Sequence, residues 1–561
     1  MKTTRTGFRK EWLVVTGVAV IVAALFVLPY WLGHVRARPG EMFTGLLINL
    51  EDGSYLSAIE QGRQGAWVYE NRFTLEPHHP VFIQGYYLAL GHVARLLGVT
   101  AVTMWHVALW LADVFLFLLV YRFTAVFFTK VAHRAAAVAL IWFGAGYDWW
   151  LLPASWERAN TLEAVPMEPY VPELHLFYSA LTYPHFIMGI AFILLVVWAV
   201  WCVLLTPVGD RRRWYWAVGA GLAHVGLGVV YPFLIFLTAG TAGLMWLVLC
   251  WRDGRIRWHD VGYLATAFLI PVPLFVYYAW AILTEPVFAV WNAQAVTLTP
   301  NPIHVLLAYL PYWLLGMTLV WRWRHWPQEK KMAVLLPVAW VVTAVILLYM
   351  PTNPQRRFVE GLQIPLAVLA ALGWVEVTWP AIAQSRFMQN VLQKPRYAAA
   401  GMARLMTGIL VGVVSLFSLY LYVGTVATLA VLRPYPLFRP VQEVTAMQWL
   451  SQAEGDGVVL SAKSSGSYIP YLSGRKVFVG QRYETIDYQN RLELAEQFFA
   501  AETPDAWRIS FLQEQPVGFV FVGRAERELG AIDWEKRPYL AQVYDNGETA
   551  VYRVLPEKVV P

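Results

Sequence analysis

"PVFIQGYYLALGHVARLLG", residues 80–98, is apolar enough to be mistaken for a bilayer crossing, and its reading sets the topology of everything after it. On a helical wheel Gln84, His92 and Arg95 fall within about 80° of one another, the pattern of a helix lying in an interface. Counted as a span, this stretch would invert every later loop and put a long series of arginines outside. Left out, the basic residues gather on one side. That side holds Lys2, Arg5, Arg9 and Lys10; Arg122, Lys130 and Arg134; Arg211–Arg213; and Arg252, Arg255 and Arg257. Arg322, Arg324, Lys330 and Lys331, then Arg386, Lys394, Arg396 and Arg404, complete it. Such a bias marks the cytoplasmic face. Residues 80–98 are therefore expected to form an amphipathic helix on the outer membrane surface.

Composition points the same way. Of 561 residues, 58% are hydrophobic and only 14% charged, against roughly 25% charged in soluble domains. The net charge of +6 sits in short loops between apolar runs, which excludes a nucleic-acid reading. The only two cysteines, Cys202 and Cys250, both lie in apolar runs, so neither a structural disulfide nor a cysteine metal site is expected. The apolar stretch from Trp12 to Trp31 is longer than the roughly 7–15 residues of a signal-peptide core and is read as a retained span. Eleven stretches can cross a hydrocarbon core of about 30 Å: 12–31, 102–121, 135–150, 186–206, 215–231, 233–251, 263–283, 303–321, 333–350, 360–378 and 403–432. The expectation is an α-helical polytopic membrane protein with about 11 transmembrane helices over residues 1–432.

From residue 433 to 561 the pattern becomes mixed and soluble. "VQEVTAMQWLSQ" and "NRLELAEQFFAAE" have helical periodicity, whereas "VVLS", "KVFVG", "GFVFVG" and "AQVY-DNGE-TAVYRVL" read as strands. Asp545-Asn546-Gly547 is the expected turn of the last pair. With an odd number of spans and a cytoplasmic N-terminus, this small α/β domain lies outside. Exterior loops at 32–101 and 151–185 exceed the usual connection length and are too aromatic for disorder.

These exterior segments carry most of the remaining acids and histidines. The first opens on "EDGSY", with Glu51, Asp52 and Tyr55, and continues to "EPHHP", with His78 and His79. The second is "VPELHLFYSALTYPHF", with Glu173, His175 and His185. Tyr231 marks a short exterior turn, "VVYPF", and Arg356-Arg357 stand in "PTNPQRRFVEG" at the outer end of a span, against the charge bias. Asp113 lies at mid-membrane depth, where a carboxylate is costly. It is expected to pair inside the bundle, with His224 or a backbone group. His106 is placed nearer the outer end.

An inward N-terminus, an exterior loop opening on an acidic pair, a proline-led surface helix and an exported C-terminal domain together resemble the GT-C superfamily. "EDGSY" is similar to the acidic first-loop motif of those enzymes. The resemblance in architecture spans the chain, while each short motif is weak. It implies an inverting membrane glycosyltransferase that moves a sugar from a polyprenyl-phosphate donor to an acceptor hydroxyl at the outer face of the cytoplasmic membrane. Such transfer needs a carboxylate to take the hydroxyl proton and cations to stabilise the departing phosphate. Asp52 is the candidate base, with Glu51 the alternative that sequence does not separate from it. Arg356 and Arg357 are candidates for the donor phosphate, the competing reading being headgroup anchoring. Tyr55, His79, Glu173, His175, His185 and Tyr231 are candidate substrate contacts. The resemblance also raises a divalent metal between Asp52 and Glu173; no other cofactor is implied.

Two other classes compete: a transporter, which usually shows inverted repeats and mid-membrane polar residues, and a non-catalytic membrane scaffold. No repeat is visible and the polar residues collect outside. In "SSGSYIPYLSGRKVFVGQRYET", Arg482, Tyr483 and Glu484 are read either as reaching the membrane cavity or as a docking surface. No glycine-rich loop opens a helix after a strand, so nucleotide binding is not supported.

Overall fold

The computed structural model describes residues 5–47, 53–155, 166–394, 396 and 398–559. Helices occupy each of the eleven stretches expected to cross a bilayer. Among the described residues, six are long and apolar enough to do so as single rods: Lys10–Arg36, Ala101–Thr124, Pro184–Leu205, Pro232–Asp253, Gln328–Leu348 and Gln355–Ala383. Three more are bent pairs, at 47°, 73° and 55°: Trp258–Leu269 with Val272–Thr284, Pro302–Ala308 with Leu310–Trp323, and Ala399–Val414 with Leu416–Leu432. The first two breaks fall at Pro271 and Pro311, where a missing N–H interrupts the helical ladder. The candidate spans thus number six to nine rather than eleven. Helix Val131–Phe143 has 13 residues, about 20 Å at 1.5 Å per residue. Helix Arg212–Val230 begins on two arginines.

The chain divides into two compact units, one of residues 1–27, 109–276 and 296–424, the other of 28–108, 277–295 and 425–561. In the first, helix Pro184–Leu205 packs along Arg212–Val230, and Leu310–Met317 along Gln363–Gly373. A side chain at Gly373 would collide with the Leu315 carbonyl, so glycine sets that approach.

The second unit joins the first long loop to the C-terminal residues. Strand β1 (Glu41–Phe43) pairs antiparallel with β2 (Phe438–Pro440), Met42 opposite Arg439. Helix α1 (Gly53–Gln64) packs on α2 (Gly85–Leu97). The expected surface helix thus starts at Gly85 rather than residue 80. Val81 is bridged to Tyr69, and Gln84 adopts a left-handed φ of 58°. Gly98, at φ 68°, ends it.

The C-terminal sheet comprises β3 (Val458–Leu460), β4 (Val517–Val522), β5 (Leu540–Asp545) and β6 (Ala550–Val554), in the order β3-β4-β6-β5. Only β3–β4 is parallel. The β5–β6 hairpin turns at Asn546-Gly547, with Gly547 at φ 87° and the Asn546 carboxamide accepting from the Thr549 amide. Leu460, Val520, Val522, Phe498, Phe499 and Trp534 form its core. "KVFVG" is not a sheet strand, contrary to its sequence pattern. Val477 makes one isolated bridge to Val459, and its amide is taken by the Arg72 carbonyl at 3.0 Å. This segment is shared between the sheet and the first loop.

Candidate functional site

Proline shapes the local chain around Glu173. Pro172 opens a one-turn helix, Pro172–Leu174, and Pro184 occupies the first turn of the long helix Pro184–Leu205, which places His185 at that helix's outer start. Facing this, Pro354 precedes the short turn Gln355–Val359 that carries both arginines. The Arg356 amide donates to the Thr297 carbonyl at 3.0 Å, and the Thr297 amide to the Asn353 carbonyl at 2.8 Å.

Two elements then meet at one carboxylate. Glu173 Oε1 lies 3.2 Å from Arg357 Nη1 and 3.4 Å from Arg356 Nε. Arg357 Nη1 also donates to the Tyr231 hydroxyl at 3.4 Å, and its guanidinium lies over the Phe186 ring at 5.7 Å. The His185 ring is 5.3 Å from that of Tyr231. Glu173 is buried. Burial opposes its charge, but Arg357 and then Arg356 outweigh it and hold the carboxyl below the usual carboxylate range. The charge that keeps the two guanidiniums in place is therefore maintained.

A second layer fixes this segment. His175 Nε2 meets Glu168 Oε1 at 3.0 Å, and Glu168 accepts from the Gly146 and Trp149 amides at 2.6 and 2.9 Å. Asp148 pairs with His304 at 2.7 Å. Gln363 accepts from the Leu176 amide and donates to the Gly144 carbonyl, both at 2.6 Å. His175 is thus a bracing residue, two positions along the chain from Glu173.

Of the residues expected from sequence, Glu173, His185, Tyr231, Arg356 and Arg357 are brought together. His79 and Tyr55 belong to the other unit. There His79 Nδ1 meets Glu285 Oε1 at 2.9 Å on an exposed edge, and Tyr55 stacks on Tyr87 with ring centroids 4.7 Å apart. Glu51 and Asp52 lie outside the described residues. Asp113 does not pair with His224. His224 bonds the Ala267 carbonyl and the Thr238 hydroxyl, while both Asp113 oxygens are buried without a hydrogen bond. His106 binds the Gly45 carbonyl at 2.9 Å.

Glu360 went unremarked in the sequence. It is fully buried, and neither carboxylate oxygen has a hydrogen-bond partner. Its only signal was position, three residues beyond an outward-facing arginine pair.

Among the described residues no three His, Cys, Asp or Glu side chains are grouped to hold a metal ion. Glu173, the described half of the expected metal pair, is committed to two guanidiniums, which is not the donor set a divalent cation requires.

No family model matches the chain, and neither does any curated protein. Solved structures do. ArnT from Cupriavidus metallidurans in the apo state superimposes at TM-score 0.53 with 13% identity, over 98% of this chain and 100% of that one. The same protein bound to undecaprenyl phosphate gives 0.51 at 13%, over 97% and 99%. The fold is similar to that of ArnT. Archaeal oligosaccharyltransferase AglB from Archaeoglobus fulgidus, in complex with an inhibitory peptide and a dolichol-phosphate, is similar at 0.51 and 13%, over 92% of this chain and 69% of its own. Arabinofuranosyltransferase AftD from Mycobacteria is similar at 0.54 and 14%, over 96% of this chain but 40% of its own. At such identities the likeness is one of fold, and the chemistry rests on this chain's own residues.

Proposed function

We propose that this chain is an inverting glycosyltransferase that moves a sugar from a polyprenyl-phosphate carrier to an acceptor hydroxyl at the outer face of the cytoplasmic membrane. In this reading the N-terminus is cytoplasmic, an odd number of helices crosses the bilayer and the residues after 432 lie outside. The observation that carries it is the Arg356–Arg357 pair, gathered on Glu173, in a fold that ArnT displays with undecaprenyl phosphate bound. Guanidinium forks match phosphate geometry, and two of them beside one carboxylate suit a phosphate that gains charge as its sugar departs.

The proposed step balances simply. Asp52, or its neighbour Glu51, takes the proton of the acceptor hydroxyl. The hydroxyl oxygen forms a bond to the anomeric carbon as the carbon–oxygen bond to phosphate breaks on the opposite side. Polyprenyl phosphate leaves with the bonding pair, its new charge met by Arg356 and Arg357. Glu173 and Tyr231 hold Arg357 ready, so that little reorganisation accompanies the step. His185, packed on Tyr231, closes the same corner.

The test is transfer from a labelled lipid-phosphate sugar by the purified protein in lipid. Asp52→Asn should abolish transfer, and Arg357→Ala should reduce kcat/KM by about 100-fold or more, in the range that loss of one electrostatic donor costs. Retained transfer by Asp52→Asn and Glu51→Gln alike would remove the base assignment.

A further inference from the structure

The segment Gly480–Thr485 is folded inward, and its carboxylate ends in the first exterior loop. Gln481 Oε1 accepts from the Tyr483 and Glu484 amides at 2.6 and 2.7 Å. Gln294 donates to the Tyr483 and Thr485 carbonyls at 3.2 and 3.0 Å. This tight turn drives the Glu484 side chain into the interior, where it is 1% exposed. There Oε2 accepts from the Tyr69 hydroxyl at 2.5 Å, the Ser54 hydroxyl donates to the same carboxylate, and the Glu484 carbonyl takes the Asn71 side-chain amide at 2.8 Å.

Ser54 is the second residue of α1 and follows Asp52 by two positions. The helix start is pressed against the C-terminal residues as well, since a side chain at Gly53 would collide with the Ser467 carbonyl. No packing argument requires a carboxylate here. A buried acid surrounded by hydroxyl donors costs stability, and a leucine or glutamine fills the same volume without a charge.

We propose that Glu484 is a positioning residue: from the C-terminal segment it holds the first turn of α1 in the arrangement that sugar transfer requires. The inference rests on the proposed glycosyltransferase reading with its acidic pair. The carboxylate does not touch substrate; it acts through Ser54 and Tyr69. Burial raises the Glu484 carboxyl to about 7 despite the two hydroxyl donors, so its grip on them changes near neutrality. The charged groups facing the pair are Glu70 and Arg72 beside Tyr69, themselves joined at 3.3 Å. Burial outweighs the two hydroxyl donors, so the folded contact favours the protonated carboxyl and ionisation loosens its hold on α1.

Hydrogen exchange of the full-length protein in lipid nanodiscs, read beside transfer, tests this. Glu484→Ala should raise amide exchange across Gly53–Gln64 at least tenfold, leave Val517–Val522 unchanged, and lower kcat about tenfold or more with KM for the donor within twofold. The Ser54→Ala, Tyr69→Phe double variant should do the same. In wild type, the hold on α1 should weaken as pH rises towards about 7, seen as faster amide exchange across Gly53–Gln64 and a lower kcat, and Glu484→Gln should lack that pH dependence. Unchanged exchange in α1, exchange raised equally in β4, or an unchanged kcat would each overturn the proposal. Failure of the glycosyltransferase reading would look different: wild-type protein would transfer no sugar while the exchange response of α1 to Glu484→Ala persisted.

Discussion

Glu173 and Glu484 are both buried carboxylates outside the membrane spans, and their surroundings push them in opposite directions. Glu173 loses hydration but gains two guanidiniums, so its carboxyl lies below the ordinary value. The stability it contributes is fully present above the unfolded carboxyl pKa, 4.5, and is lost as pH falls through the lower folded value. Glu484 has only hydroxyl partners, and burial takes it from 4.5 to about 7. Its folded form binds the proton more tightly, so stability is greatest below 4.5 and declines by about 3 kcal/mol as pH rises through 7. Thermal unfolding across pH separates the two. Glu173→Gln should remove stability lost below about pH 4.5, and Glu484→Gln should remove the decline between about pH 4.5 and 7. The types of these residues were visible in the sequence. That Arg356 and Arg357 converge on Glu173 was not, because roughly 180 positions of chain separate them and no periodicity reports a non-local ion pair.

At the scale of elements, α1 shows why local patterning falls short. "GSYLSAIEQGRQ" carries polar residues, yet Ser54, Ser57 and Gln61 are buried with Leu56 and Ile59. The helix is polar on a face that tertiary packing hides, so it read as a loop motif. Its partner α2 was legible through its apolar residues and its terminating glycine. The crossing depends on Gly62 and Gly91, where a side chain would run into the Leu88 and Ile59 carbonyls. Gly91→Val should therefore cost at least about 1–3 kcal/mol, with the loss seen as increased proteolysis of residues 53–97. A neutral effect on both stability and proteolysis would show that the helices separate freely. "KVFVG" failed in the other direction. Its β-branched run promised a strand, but its hydrogen bonds are divided between β3 and Arg72.

At the scale of the molecule, residues 28–108 and the C-terminal residues belong to one unit. The β1–β2 pair, the Leu437 carbonyl to Thr44 amide bond at 2.8 Å and Glu484 all tie them together. Removing residues 433–561 should leave residues 32–101 sensitive to protease in intact membranes while the spans stay inserted. Equal resistance in the truncated and full chains would show that the loop folds without its partner.

Hydropathy and charge bias, acting residue by residue, determined by themselves that this is a polytopic helical membrane protein. They also located its helices, including one within 80–98 that begins at Gly85. Transfer free energy and orientation bias are local sums, so the linear chain contains them. Only tertiary structure decided which charges meet, that Glu360 is buried beside them, and that a carboxylate near residue 484 reaches the loop that begins near residue 53. Those outcomes depend on close packing between segments distant in sequence, and packing of that kind leaves no periodic mark on the chain.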